Sequence, residues 1–183
     1  DYGTDIKNVI IEEGVTTLGA YAFYYYHTAI ETVSLPESLT SIGNSAFFNC
    51  QGISEINIPS NVETIGEGIF GVCKNLESIT VSEGNEYFVT DEYGVLYSYD
   101  KTRLICMPAK SNLTSYTIDS NTQIIGVTAF GDNTTLVSVV IPDNVTSIGY
   151  AAFFDCASLT SIVIPNSVTS IGAKAFERCD IQY

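Results

Sequence analysis

The sequence predicts an α/β repeat solenoid, a chain wound into stacked coils. An aliphatic-glycine pair followed by Ala-Phe recurs, because Ile148-Gly149 with Ala152-Phe153 returns 23 residues later as Ile171-Gly172 with Ala175-Phe176. Apolar residues that alternate as in a strand follow each of these motifs, and a proline ends most of the alternating runs. Self-similarity at a fixed period of roughly 20 to 50 residues is typical of solenoids. We therefore expect one solenoid domain over residues 1–183.

Each coil begins with a predicted strand. Ile162 and Ile164 alternate as apolar residues do on a half-buried strand. Pro165 then lacks the amide donor that strand pairing needs. Val168, three residues later, starts a second short extended segment. Prolines at the equivalent place in other coils are Pro36, Pro59 and Pro142.

Each coil ends in a predicted bend and one helical or 3-10 turn that carries Ala-Phe. The glycine of the bend either has a positive φ or lets two backbones approach closely, since a Cβ would obstruct both. The phenylalanines recur at the same phase, so we expect them to stack as an interior ladder. That ladder contains Phe23, Phe47, Phe70, Phe130, Phe153 and Phe176.

A cysteine stands three residues after four of these phenylalanines. The four are Cys50, Cys73, Cys156 and Cys179, and Tyr26 and Asn133 take the same place in two other coils. Neighbouring repeats place them one coil apart, which differs from the Cys-x-x-Cys spacing of a metal knuckle. We interpret them as small buried side chains, with a disulfide between neighbouring coils as the alternative. Cys106 has no counterpart in the repeat.

One interval breaks the pattern. Ile65 and Ile125 are 60 residues apart, which equals one 23-residue repeat plus 37 or two repeats plus 14. Within it, the β-prone segments Gly94–Tyr99 and Leu104–Pro108 flank a polar four-residue turn. This arrangement predicts a β-hairpin inside an irregular insert at about residues 82–112.

Composition excludes several function classes. Seven basic and 21 acidic residues give a net charge of -14, which repels nucleic acid and anionic lipid surfaces. The chain has no apolar run near 18 residues, so we expect no membrane span. The acidic residues lack the spacing of a calcium loop, which favours solvated turn carboxylates over weak calcium binding. The single histidine, His27, has no acid in an orienting position, so we expect no enzyme activity and no cofactor.

The candidate binding surface combines tyrosines with outward strand positions. Tyrosine gives a large contact area with a polar tip and is favoured at interfaces. Half or more of these rings packing against the solenoid is the alternative, and threonine also suits exposed strands for structural reasons alone. The candidate residues are Tyr24, Tyr25, Tyr87, Tyr93, Tyr97, Tyr99, Arg103, Glu55, Asn57, Thr80 and Thr117.

The repeat from Leu159 to Cys179 and the insert from Gly94 to Pro108 together resemble the BspA-like leucine-rich repeats of bacterial surface proteins. The resemblance implies a right-handed leucine-rich solenoid, an exported or surface-attached protein and a role in adhesion or host contact. It brings no catalytic residues. We therefore expect a binding module for a protein or glycan at a cell surface, with a passive spacer as the alternative. The chain opens partway through a repeat, so we also expect it to be a piece of a longer array.

Overall fold

The computed structural model describes residues 6–24 and 29–181, which form about seven coils of β-strand and turn. Each coil has a first and a second strand. The first strands are β1 (Asn8–Ile10), β3 (Thr32–Ser34), β5 (Glu55–Ile58), β7 (Ser78–Val81), β11 (Ser115–Thr117), β13 (Ser138–Val140) and β15 (Ser161–Ile162). The second strands are β2 (Thr17–Leu18), β4 (Ser41–Ile42), β6 (Thr64–Ile65), β10 (Arg103–Cys106), β12 (Ile124–Ile125), β14 (Ser147–Ile148) and β16 (Ser170–Ile171). Coil 4 also contains β8 (Phe88–Thr90) and β9 (Leu96–Ser98).

Equivalent strands of neighbouring coils pair in parallel. Ser147 pairs with Ser170, and Ile148 pairs with Ile171, so the register equals the sequence repeat. Along β13, Val139 is buried while Ser138 and Val140 are exposed. This alternation sends one row of side chains into the core and one row to solvent.

The predicted helical or 3-10 turns are wrong, because no helix occurs in residues 6–24 or 29–181. The fold is therefore built from strands and turns and is not α/β. In coil 6, Ala151 has φ of 51° and Asp155 has φ of 57°. Two left-handed residues within five positions prevent a right-handed helix, which needs consecutive negative φ values. It follows that these described ranges contain no helix able to cross a bilayer.

The glycine after each aliphatic residue serves close backbone approach. At Gly149, a Cβ would lie 2.6 Å from the carbonyl carbon of Gly126 in the preceding coil. The φ of Gly149 is not positive, so the second of the two explanations offered by the sequence holds. The same close approach to the preceding coil occurs at Gly43, Gly66 and Gly172.

The phenylalanine ladder is present, but it has a gap. Ring centroids are 4.7 Å apart for Phe130 and Phe153, and 5.7 Å apart for Phe47 and Phe70. Stacking also joins Phe23 to Phe47 at 5.4 Å and Phe153 to Phe176 at 5.3 Å. No phenylalanine continues the ladder between Phe70 and Phe130, because the turn of coil 4 has Met107 in their place.

The buried side chains form two clusters, and the strands of the insert contribute to both. Leu96, Ile105 and Cys106 belong to the cluster of the first coils. Tyr97 and Leu104, from the same strands, belong to the cluster of the last coils. Because successive side chains of a strand point to opposite faces, β9 and β10 lie between the two clusters.

The structure also accounts for the long interval. Leu104 pairs with Ile125 as Ile148 does with Ile171, so Leu104 is the aliphatic anchor of coil 4. The two-repeats-plus-14 alternative is therefore the correct one. The hairpin formed by β9 and β10 matches the prediction, with Leu104 opposite Tyr97. The antiparallel strand β8, which pairs with β9, was not predicted.

Candidate binding surface

The stack of first strands is interrupted between coils 4 and 5. The strands β5 and β7 form one sheet, and β11, β13 and β15 form another. The turn between β8 and β9, residues 91–94, lies at this interruption, and we call it the wedge. A Cβ on Gly94 would lie 3.6 Å from the carbonyl oxygen of Ile79 in β7, and the Tyr93 ring meets the Tyr116 ring of β11 edge-on at 6.1 Å. The wedge therefore separates the facing edges of β7 and β11.

Asp91 holds the wedge in place. Its Oδ1 accepts hydrogen bonds from the N–H groups of Tyr93 and Val95, both at 2.9 Å. Its Oδ2 accepts a hydrogen bond of 2.6 Å from the hydroxyl of Tyr116. A carboxylate with three donors on two elements fixes the turn to β11 and limits its movement.

Tyr97 belongs to the core, so its assignment to the binding surface is wrong. Its side chain is 0% exposed, and its hydroxyl lies 2.6 Å from the hydroxyl of Tyr116. Burial raises the pKa of Tyr97 to about 12. Burial and the hydrogen bond to Asp91 also raise the pKa of Tyr116. The strand period of β9 explains the error, because Tyr97 is directed inward while Tyr99 lies at the end of the strand.

Asn85 anchors the start of the insert. This buried side chain donates hydrogen bonds to the carbonyl oxygens of Pro59 at 2.9 Å and Val62 at 3.0 Å in coil 3. Its Oδ1 accepts hydrogen bonds from the N–H groups of Tyr87 and Phe88, both at 2.8 Å. The sequence analysis missed Asn85, since it stands outside the repeat and no period marks it as buried.

A cleft opens beside the wedge, between the start of β7 and the segment that leads into β11. We call it the insert cleft; its volume is about 510 Å³, and it is lined by Glu77, Ser78, Tyr93, Lys110, Ser111, Asn112 and Leu113. Tyr93 is 50% exposed, and the neighbouring Glu92 raises its pKa. Glu77 and Lys110 form an ion pair of 2.6 Å across the cleft. The cleft thus combines one aromatic ring with polar side chains.

Two further tyrosines of the insert are exposed. The N–H of Tyr99 donates a 2.8 Å hydrogen bond to the carbonyl oxygen of Tyr87, which places the two residues opposite each other on the antiparallel pair. Side chains at opposite positions share one face of the sheet. Tyr99 also borders a second cavity of about 530 Å³ on the far side of the wedge. Three of the four predicted insert tyrosines are therefore available for contact.

Arg103 joins coils and is not a free cation. Its Nη2 lies 2.6 Å from Oε1 of Glu67 in the turn of coil 3. Oε2 of the same glutamate accepts a 3.3 Å hydrogen bond from the N–H of Val127 in coil 5. Glu67 thereby links three coils across the insert. The sequence gave no signal for this role, because the linked residues are far apart along the chain.

The strand-face residues fall into two groups. Glu55, Asn57 and Thr80 are exposed and line one shallow groove of about 290 Å³ on β3, β5 and β7. Asn57 is already engaged, since it accepts a 2.9 Å hydrogen bond from Thr80 and donates one of 2.8 Å to Ser82. Thr117 is exposed on β11, beyond the wedge and in the other sheet. The structure therefore does not combine these four residues into one site.

Tyr24 is exposed on the turn side of the solenoid. Its ring centroid lies 5.1 Å from that of Phe48 and 5.3 Å from that of Tyr21. Tyr24 is therefore remote in sequence and in element from the insert tyrosines. Tyr25, together with Tyr26 and His27, lies outside the described residues.

The repeated cysteines have a structural environment. The thiol of each donates to the carbonyl oxygen of the phenylalanine in the preceding coil, for example from Cys156 to Phe130 at 3.1 Å and from Cys179 to Phe153 at 3.0 Å. Burial raises the pKa of Cys50 to about 12. The five thiols are free in the structure. Within residues 6–24 and 29–181, no group of three or more His, Cys, Asp or Glu side chains is arranged to hold a metal ion.

Solved structures share this fold. A leucine-rich cell surface protein from Faecalibacterium prausnitzii A2-165 is 31% identical with a TM-score of 0.90, over 98% of this chain and 47% of its own. A leucine-rich repeat protein from Eubacterium ventriosum is 30% identical with a TM-score of 0.78, over 91% of this chain and 50% of its own. The pneumococcal vaccine antigen PcpA is 28% identical with a TM-score of 0.84, over 89% of this chain and 40% of its own.

This chain thus spans half or less of the length of these three structures. No curated protein matches it. The model of the BspA type leucine-rich repeat region matches in six copies, over residues 2–93 and 107–182. These ranges leave out residues 94–106, which include β9 and β10 of the insert. Because the match covers most of the sequence, the chain belongs to the BspA-type leucine-rich repeat family.

Proposed function

We propose that this chain is a non-catalytic binding module of a secreted or cell-surface protein, and that it contacts a protein partner through the insert cleft and its tyrosines. The interrupted stack of first strands carries the proposal, because it creates a cleft at the place where the repeat is broken. Repeat solenoids commonly use such extended surfaces for binding. The cell surface protein and the vaccine antigen among the similar structures support the location.

The tyrosines suit a contact surface because their backbone is held rigidly. Asp91 fixes the wedge that carries Tyr93, and Asn85 fixes the start of β8 next to Tyr87. A group that is already ordered loses little conformational entropy on binding. Large aromatic side chains with a polar tip then contribute much of the energy of an interface.

The partner's chemistry follows from charge. The net charge of -14 produces a negative field, which favours approach by basic surfaces. The groove on β3, β5 and β7 carries only one charged side chain, Glu55, among Thr32, Asn57, Ser78 and Thr80. We infer that this uncharged face adds contact area at the rim of the interface.

The test is retention on panels of immobilised extracellular-matrix proteins and of glycans. We expect the double variant Tyr93→Ala/Tyr99→Ala to lose at least tenfold in affinity for any protein that the unmodified chain retains. Tyr21→Ala is the matched control, since Tyr21 is 57% exposed but lies on the turn side. Deleting residues 85–108 is unsuitable, because it removes β10 and the anchor Leu104.

Two results would contradict the proposal. If the unmodified chain retains no ligand, a passive spacer becomes the better explanation. If the double variant and Tyr21→Ala retain a protein equally well, the insert cleft is not the contact. Retention on the glycan panel alone would replace the protein partner by a carbohydrate.

A further inference from the structure

A second candidate surface lies on the turn side of the solenoid, away from the insert cleft. It arises at the position directly after each ladder phenylalanine. That position is aromatic in coils 1, 2 and 6, which have Tyr24, Phe48 and Phe154. In coils 3 and 5 it is Gly71 and Gly131. The two glycines remove the ring that would otherwise continue the aromatic row.

Coil 4 does not fill the space. Leu104 pairs with Ile125, but the N–H of Met107 donates a 2.7 Å hydrogen bond to Ala129. The turn of coil 4 is therefore shorter than the others. As a result, the turn of coil 3 meets that of coil 5 directly. A Cβ on Gly71 would lie 3.0 Å from Oγ1 of Thr128.

An aromatic slot results between coils 2 and 6. Its volume is about 190 Å³, and its walls include Phe48, Tyr150 and Phe154. Val72 and Gly131 also line it, so apolar groups dominate the lining. Tyr150 is 48% exposed at the slot. A space of this size holds one aromatic side chain, and rings on two sides offer the edge-to-face and offset contacts that aromatic pairs prefer.

The cations near the slot are paired within the chain. Lys74 lies 3.4 Å from Asp132 and 3.8 Å from Asp155. Lys174 lies 3.5 Å from Glu177, and Arg178 lies 3.6 Å from Asp155. These pairs largely balance the local charge. The field at longer range therefore follows the net charge of -14, which attracts basic segments.

We propose that the aromatic slot receives one aromatic side chain from a basic segment of a partner protein. The rings of Phe48 and Phe154 select the aromatic group, and the acidic surface around the slot selects the flanking lysines or arginines. This contact is additional to the insert cleft and uses none of its residues.

The probe is the acetylated and amidated peptide Lys-Lys-Trp-Lys-Lys. The chain contains no tryptophan, so the indole fluorescence of the peptide reports binding without background. We expect a saturable blue shift of that fluorescence. Gly131→Phe should weaken binding at least tenfold, because it restores the ring found at Phe48 and Phe154. The φ of Gly131 is not positive, so a side chain fits the backbone there.

Tyr150→Ser is a second variant that does not depend on filling the slot, and we expect it to weaken binding several-fold. Thermal melting of both variants shows whether they remain folded. The Tyr93→Ala/Tyr99→Ala variant should bind the peptide as the unmodified chain does, which separates this site from the insert cleft.

Control peptides replace the tryptophan by glycine or the lysines by glutamates, and both should bind at least tenfold more weakly. The glycine peptide, which has no indole, is tested as a competitor. The proposal is overturned if the tryptophan peptide shows no saturable binding, if a folded Gly131→Phe variant binds it unchanged, or if the acidic peptide binds equally well.

Discussion

At the residue scale, stability depends on side chains that contact the coils on both sides of their own. Phe153 is fully buried, and its ring stacks on Phe130 and on Phe176. Phe176 has only one such neighbour and is half-buried. The same type of residue at the same phase therefore contributes differently according to its place in the stack.

Phe153→Ala should lower the free energy of unfolding by about 3 to 5 kcal/mol, since it removes a ring that two neighbours enclose. Urea denaturation measures the change. Phe176→Ala is the matched control and should cost less, because its ring is already partly in contact with water. An unchanged denaturation midpoint for Phe153→Ala would contradict the assigned core.

The cysteines should differ in reactivity. Cys50, Cys73, Cys106 and Cys156 are buried, whereas Cys179 is half-buried. Burial raises the pKa of Cys106 to about 12, while the hydrogen bond with Cys156 lowers the pKa of Cys179. Because the thiolate is the reactive form, iodoacetamide should alkylate Cys179 first in the folded protein. Intact mass should show one early adduct, which Cys179→Ser removes; equal labelling of all five cysteines would be incompatible with their burial.

At the element scale, the insert is the part of the chain that differs most from its neighbours. The sequence predicted the β9–β10 hairpin because polar turn residues separate two β-prone runs. It did not predict the wedge, since Asp91, Tyr116 and Ile79 come together only in the folded chain. It also predicted helical turns, where pairs of residues with positive φ instead produce tight non-helical bends.

Alkaline pH should loosen the join between β9 and β11. Tyr97 has an ordinary pKa of about 10 when unfolded, and burial raises it to about 12 in the fold. The neutral form is thus favoured by folding. Its contribution is complete below pH 10 and is lost as the pH rises toward 12. By linkage this amounts to about 2 to 3 kcal/mol.

The measurement is urea denaturation of the unmodified chain and of Tyr97→Phe at pH 8, 10 and 11. Tyr97→Phe should lose less stability between pH 8 and 11, because it has no hydroxyl to ionise at this place. Tyr99→Phe, at an exposed position, should behave as the unmodified chain does. Equal pH dependence for Tyr97→Phe and the unmodified chain would show that burial of this hydroxyl does not affect stability.

At the scale of the whole molecule, each coil is stabilised by its neighbours. One coil offers too few buried side chains to offset the conformational entropy that about 23 residues lose on ordering. In the structure, strands of each coil pair with those of the next, and the phenylalanine ladder runs through three coils on either side of the insert. Stability should therefore rise with the number of stacked coils.

Removing residues 159–183, which contain β15 and β16, should lower the urea midpoint clearly and expose Phe153 to solvent. Removing residues 182–183 alone takes away no residue of either strand and is the control. A midpoint that is the same for both truncations would mean that coil 7 contributes nothing to its neighbours.

The sequence by itself determined the repeat, its period, the phenylalanine and cysteine positions and the family resemblance, because each coil obeys the same local rules of alternation, bend and turn. It also placed Tyr87, Tyr93 and Tyr99 among the contact candidates. Only the tertiary structure decided that Tyr97 and Arg103 are occupied within the fold, that Glu67 and Asn85 join the insert to other coils, and that Gly71 and Gly131 leave an open slot. These features depend on contacts between residues far apart along the chain, which no local pattern encodes.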